Sequence, residues 1–298
     1  MIDLLNKLKE TIGTYRATYT NWFLTLLKLA LTDRARATIR GGNIVEGNAA
    51  LLGRFARLHS RWVECCRAVD ASSDLSYIVI KIKEKKIKLY GWYKVPFQDL
   101  DIYSSILDVN SKSVLDVGTY VGDSAILFAL MGAKRVVAVE PSPWAYNVAK
   151  RNVEVNNLED LITLVNCAVS KENGKTLMLP SGEIDPGSFE ATSNVQGDVP
   201  VLTCTLDSLI EKYGPFDVMK MDCEGCEHES IPYSRRIGEV KEVLVEYHGG
   251  YEDVEKKLRK EGFVTIKYCE FADFLRKRLQ GLYESPLNPR LGCIYASK

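Results

Sequence analysis

The segment Asp222-Cys223-Glu224-Gly225-Cys226-Glu227-His228 gathers within seven residues several groups able to accept, hold or pass a proton, and a further histidine follows at His248. An unperturbed imidazole titrates near ~6.5 and accepts a proton at neutral pH, so His248 is the first candidate for a general base and Glu224 the second. Asp222 is better suited to hold a cation. Cys223-x-x-Cys226 followed by His228 also raises a metal or redox reading. Tetrahedral zinc takes four ligands, however, and the other neighbouring pair, Cys65-Cys66, is adjacent and expected on a helix. No metal is therefore expected.

Such groups need a scaffold that brings strand ends together, and Ser113 to Pro141 supplies its beginning. The apolar run Val114 to Val117 carries Asp116, loops through Gly118 and Gly122, and enters a helical segment from Asp123 to Met131. A second apolar run, Val136 to Val139, ends on Glu140. Strand, glycine loop, helix and strand with a terminal acid form the start of a nucleotide-type α/β site. A dinucleotide fingerprint would place glycine where Asp116 stands, and it would separate the next two glycines by two residues rather than three. A carboxylate there repels a diphosphate and favours an ammonium or sulfonium group. S-adenosylmethionine has both cations and no phosphate. Glu140, 24 positions beyond Asp116, sits where an acid can accept both ribose hydroxyls.

Composition bounds the rest. At 298 residues, 46% hydrophobic and 26% charged, the chain can bury a full core as one large domain with an appendage. Lys+Arg and Asp+Glu balance at 39 each, which is poor material for sequence-independent nucleic-acid binding, and no DNA partner is expected. The first residues lack a signal-peptide core and cleavage site, so a cytoplasmic location is expected, with the eight cysteines as free, mostly buried thiols. Trp22 to Leu31 is too short to span a bilayer, and no transmembrane segment is expected. This segment reads as a core-facing helix, with a membrane-surface helix as the alternative. An assembly of identical copies is compatible with the sequence.

Residues 1 to about 70 read mostly as helix, interrupted by a hairpin around Gly41-Gly42. A second hairpin pairs Tyr77 to Lys83 with Lys86 to Trp92. Domains are expected at 1–95, an extension of helices and hairpins, and at 96–298. After Glu140, Ser142 caps a helix with Pro143 at its first turn. A third strand is expected over Ile162 to Val169, and a binding loop or lid over Pro180 to Pro200. Thr205 to Asp207 opens a helix ending at Gly214-Pro215. Strands Phe216 to Met221, Val243 to Tyr247, Val264 to Tyr268 and Leu291 to Ala296 then complete a Rossmann-like, doubly wound seven-stranded α/β sheet. Asp116, Glu140, Cys167, Asp222 and His248 should converge at the carboxyl ends of its strands.

Taken together, LDVGTYVGDSAI, VVAVEPSPWAYNVAKRNVEVNN, NCAVS, TLDSL, MKMDCEGCE and VEYH resemble the FkbM-type S-adenosylmethionine-dependent methyltransferases, over about Ser113 to Gly249. The resemblance implies the seven-stranded methyltransferase fold and methyl transfer to an oxygen, often of a sugar or small metabolite. It implies cofactor contacts from Asp116, Gly118, Thr119, Tyr120, Gly122, Asp123 and Ser124, from Glu140, Pro141 and Ser142, from Cys167 and Ala168, and from Asp222. It further implies that Asp222, Glu224 and His248 face the transfer site. Cys223 and Cys226 stand where the family usually has small or aliphatic residues. The expected acceptor is a small molecule or glycan hydroxyl. RNA or protein methylation, or S-adenosylmethionine binding without catalysis, remain as alternatives, although no Asn-Pro-Pro-type amine-binding motif follows the fourth strand.

Overall fold

The computed structural model describes residues 2–60, 65–95, 97–183, 197–269 and 291–298. Two compact units divide the chain, Met1–Asp101 and Ile102–Lys298. No helix among the described residues is long and apolar enough to cross a membrane.

The first unit holds helices α1 (Ile2–Thr18) and α2 (Trp22–Leu31), the hairpin β1 (Arg34–Thr38) and β2 (Ile44–Asn48), and α3 (Ala49–His59). An antiparallel sheet of β3 (Cys66–Ala71), β4 (Tyr77–Ile82) and β5 (Lys85–Tyr90) follows. Both expected hairpins form. Asn48 caps α3 by accepting from the Leu51 N–H; Leu52, Phe55 and Leu58 are buried, with the Phe55 ring packed on those of Tyr19 and Trp92. Two expectations are corrected. Cys66 opens strand β3 rather than sitting on a helix, because Cys66 and Ala68 alternate inward against β4 and, beyond a register shift between Ala68 and Asp70, Ala71 is buried in turn. And α2 is not a core helix: of its ten residues only Thr25 is fully buried.

Helix α4 (Phe97–Ile106) leads to the second unit, built on β6 (Ser113–Val117), α5 (Asp123–Leu130), β7 (Arg135–Val139), α6 (Pro143–Val155) and β8 (Ile162–Val165). Next come β9 (Ala168–Val169), β10 (Thr176–Leu179), β11 (Val199–Cys204), α7 (Leu206–Tyr213), β12 (Val218–Met221) and α8 (Cys226–Ser230). The unit ends with β13 (Glu242–His248), α9 (Glu252–Lys260), β14 (Thr265–Cys269) and β15 (Leu291–Ser297). The seven-stranded sheet has the order β14-β15-β13-β12-β6-β7-β8, parallel from β13 through β8, with β15 antiparallel to both neighbours. Buried on both faces, β6, β7 and β12 are nearly unbroken apolar runs. Every residue of α5 is buried, as an all-round apolar helix must be. Ser142 caps α6 and Thr205 forms a capping box with Ser208 on α7, as their sequences require.

From β6 the chain winds outward through β7 and β8, then returns to β12 and β13 on the other side. The order therefore reverses between β6 and β12, which opens a crevice at their carboxyl ends. The expected third strand is broken: Asn166 turns its amide to the carbonyls of Glu140 and Pro141, and the chain leaves the large sheet. Ala168 and Val169 then pair with β11, a strand not anticipated from sequence, in a separate sheet ordered β10-β11-β9. Most of the expected binding loop, Pro180 to Pro200, lies outside the described residues, as does the expected boundary at Pro96.

Gly118 shows how closely the two central strands approach. It has φ +79, and a Cβ on it would fall 1.7 Å from the Asp222 carbonyl oxygen. Alanine at this position should destabilise the protein by more than the ~1–2 kcal/mol of left-handed strain alone, because backbone must also move. Chemical denaturation of Gly118→Ala measures this, and an unchanged midpoint would contradict the packing described.

Candidate functional site

At the carboxyl end of β6, Asp116 is fully buried and takes a hydrogen bond from Ser124 Oγ at 2.6 Å. Its other oxygen lies 3.3 Å from Lys220 Nζ, a lysine of β12 that is only 2% exposed. Lys220 also donates to the Gly118 carbonyl at 2.7 Å, stands 3.9 Å from Asp222 Oδ2, and lies over the Tyr103 ring. Burial alone would lower its pKa, but Asp116, Asp222 and Asp123 outweigh it and hold the ammonium above the ordinary lysine value. The negative charge of Asp116, expected to face a bound cation, is thus matched by a cation within the protein. Asp222 is itself oriented by the Tyr103 hydroxyl, which donates to Oδ2 at 2.8 Å. Neither Lys220 nor Tyr103 was legible as a site residue, since one reads as strand filler and the other stands 119 positions from its partner.

The glycine loop wraps the end of β7. Gly118 and Thr119 donate to the Val139 carbonyl, and the Tyr120 N–H reaches Glu140 Oε2 at 2.9 Å. The Ser142 N–H satisfies Oε1 at 2.8 Å. Burial pushes the Glu140 carboxyl up to about 8 against these two donors, and it pushes Asp123, at the first turn of α5, up to about 7. Thr119 and Ser124 lie within hydrogen-bond reach of each other beneath the loop, and Gly122 packs against Ala149 of α6. Pro141 is tied by its carbonyl to Asn166. Cys167 and Ala168 are buried, and Cys167 is bonded to Cys204 rather than free.

After β12 the chain turns through two left-handed residues, Glu224 (φ +55) and Gly225 (φ +106), and Cys223 is bonded to Cys226 across them. The expectation of free thiols is therefore corrected at the pairs Cys167–Cys204 and Cys223–Cys226, and at Cys293, which is also disulfide-bonded. Folding brings each pair close, the first through the pairing of β9 with β11 and the second through this tight turn. The turn sends Glu224 toward His248 at the end of β13, with Oε2 to Nε2 at 3.2 Å. Glu227, fully buried on α8, accepts from the His248 N–H at 2.6 Å and lies 3.3 Å from its Nδ1. His248 is thus held between two carboxylates. Burial would lower its pKa, but Glu227 and Glu224 prevail and raise it above the ordinary imidazole value.

His228 supports this arrangement from behind. Its Nε2 meets the His248 carbonyl and its Nδ1 meets Asp253, each at 2.9 Å. With an acceptor at each nitrogen the charged ring is favoured, and its pKa is raised accordingly, burial being the opposing influence. The sequence assigns no role to Glu227, and it offers His228 only beside the Cys223-x-x-Cys226 pair in a metal or redox reading. The D-x-E-G-x-E spacing was the available signal, because residues on one turn of a short helix can reach back to a neighbouring strand end. Asp222, Glu224 and His248 do converge, with one donor atom from each within 4.8 Å of the others. Among the described residues this is the only grouping of three such donors; it could take up a cation or a proton.

The buried ion cluster is open to direct test. Lys220→Met should destabilise the folded protein by about 3–5 kcal/mol, since it leaves Asp116 charged, buried and without its cation. Urea denaturation gives the value, and a loss below ~1 kcal/mol would show that Lys220 does not hold the strand ends together.

The model of the methyltransferase FkbM domain matches residues 116–276, more than half of the chain. A provisionally named protein N5-glutamine methyltransferase of Methanocaldococcus jannaschii is 34% identical over 82 residues, 27% of this chain and 42% of that one. A ribosomal protein L11 methyltransferase of Carboxydothermus hydrogenoformans is 46% identical over 54 residues, 18% of each chain. The matched segments thus span less than half the length of these curated relatives. Among solved structures, the METTL16 MTase domain is 16% identical with a TM-score of 0.44, covering 84% of this chain and 79% of its own. The family match spans the glycine loop, Glu140, the Asp222 turn and His248, and the chain belongs to the FkbM methyltransferase family.

Proposed function

We propose that this S-adenosylmethionine-dependent methyltransferase transfers its methyl group to a hydroxyl of a sugar, glycan or small metabolite. The observation that carries the reading is the Glu224–His248–Glu227 arrangement beside Asp222, at the mouth of the crevice between β6 and β12.

The residues suit the methyl donor. A ribose diol is matched by an acid at the end of β7, and the two backbone donors that fix Glu140 keep it aimed. Lys220, which reaches the loop through the Gly118 carbonyl, is turned inward to carboxylates, so the crevice edge favours a cation over a phosphate. In this reading Glu140 accepts from the ribose, Asp222 and the Gly118 to Ser124 loop hold the amino acid end, and Pro141, Ser142, Cys167 and Ala168 flank the adenine. Bound S-adenosylmethionine supplies an already activated methyl group, which leaves the protein to align the acceptor and take up one proton. His248 takes the proton from the acceptor hydroxyl, with Glu224 and Glu227 stabilising the imidazolium that results.

The names of the curated relatives favour a second reading, methylation of a protein acceptor. Incubation with labelled cofactor and fractionated cell extract separates the two, because label in protein or RNA rather than glycan or small molecules would reject the hydroxyl reading. The cytoplasm expected from sequence is a compartment where disulfides such as Cys223–Cys226 are rare, and that weighs against the placement.

Two pH dependences follow from the site. Glu140 must be ionised to accept from both ribose hydroxyls, and its carboxyl stands at about 8. Cofactor affinity should therefore rise from pH ~7 to pH ~9. Glu140→Gln should weaken binding by about tenfold or more and flatten this dependence. Calorimetry across that range checks it, and a flat wild-type profile would remove Glu140 from the ribose.

His248 accepts a proton only when neutral, and its pKa is raised, so turnover should increase with pH along a limb lying above ~6.5. Glu224→Gln removes one of the charges that raise it and should move that limb toward acid. His248→Ala should lower kcat by about 10²- to 10⁴-fold with cofactor affinity nearly unchanged. Full activity in that variant would remove His248 from the reaction.

A further inference from the structure

An apolar helix on a protein surface needs something to cover it, and α2 is apolar nearly all round. Its sequence, WFLTLLKLAL, turns Thr25 inward, while Phe23, Leu24, Leu27 and Leu31 remain 61%, 64%, 48% and 76% exposed. These four side chains fall within about 100° of arc on one side of the helix, and Lys28 stands at the edge of that stripe. Helix α1 packs against α2 and leaves Leu5 and Leu8 about half exposed. Isolated surface leucines need no explanation, but a stripe of this length on one helix does.

The charge around the stripe indicates what covers it. The unit Met1–Asp101 holds 17 Lys and Arg against 10 Asp and Glu, so the remaining residues hold 22 against 29. The neutral chain therefore has a first unit of net +7. From Trp22 to Asn48, Lys28, Arg34, Arg36 and Arg40 stand against Asp33 and Glu46 alone. Glu46 already faces two of those cations, Arg36 at 2.9 Å and Arg34 at 3.7 Å. Strand β1, which carries both arginines, packs on α2.

We propose that α2 docks the protein on an anionic lipid surface, with Phe23, Leu24, Leu27 and Leu31 entering the headgroup boundary and Lys28 and the neighbouring arginines meeting lipid phosphates and carboxylates. A second copy of the chain would bring the same positive unit against itself, and a nucleic acid would use the cations but leave the leucines in water. A bilayer surface satisfies both.

Co-sedimentation of the full chain with lipid vesicles tests this. Vesicles of phosphatidylcholine containing about one third phosphatidylserine should retain the protein at least about tenfold better than pure phosphatidylcholine. The retention should weaken as salt is raised from about 0.1 to about 0.5 M. Leu24→Ser with Leu27→Ser should abolish it, and Lys28→Gln should weaken it about fivefold. Because these side chains are exposed, the variants should keep the wild-type unfolding midpoint and cofactor affinity, which separates lost docking from lost folding. Wild-type protein that ignores anionic vesicles, or a double-serine variant that binds them as well as wild type, would overturn the proposal. So would self-association in analytical ultracentrifugation, or retention of single-stranded RNA, either without vesicle binding.

Discussion

A single buried ammonium holds the centre of this protein together. Lys220 leaves water at the carboxyl end of β12, a move that costs several kcal/mol unless the charge is met. It is met by Asp116 on the adjoining strand, by Asp222 beyond its own strand end, and by the Gly118 carbonyl. Strands β6 and β12 are the parallel neighbours between which the strand order reverses, so this ion cluster closes the floor of the crevice that gives the fold its binding site. It also accounts for the absence of glycine at Asp116: the position is required to supply charge, and the close backbone approach is made two residues later by Gly118.

Above that floor the chemistry is arranged by a second set of carboxylates. The left-handed turn at Glu224 and Gly225 lets consecutive segments of one loop face the same histidine, Glu224 from the loop and Glu227 from α8. An imidazole between two acids is a stronger but less available base than an exposed one, because its own proton is held more tightly. His228 extends the arrangement by pinning the His248 carbonyl and the start of α9. Each acid has a partner that fixes its direction, so the site is set before any ligand arrives.

The overall charge of zero conceals a division. A positive first unit precedes a negative second one that contains the acidic crevice. Net neutrality argues against a general nucleic-acid binder, but it averages away the feature that gives the α2 stripe its context.

What could be read from the residues alone was local. The β6-loop-α5-β7 run, the caps at Ser142 and Thr205 and both hairpins rest on neighbours in sequence, whose periodicity and turn chemistry act over a few residues. The convergence of Asp222, Glu224 and His248 was legible too, because strand ends in such a sheet share one edge. Tertiary structure alone decided which charges meet and which face of α2 is left to solvent. Lys220 reads as a polar interruption of a strand until β12 lies against β6, and Cys167 reads as a free thiol until β9 leaves the large sheet for β11. Those outcomes depend on contacts between residues tens to more than a hundred positions apart, which no pattern within a single element encodes.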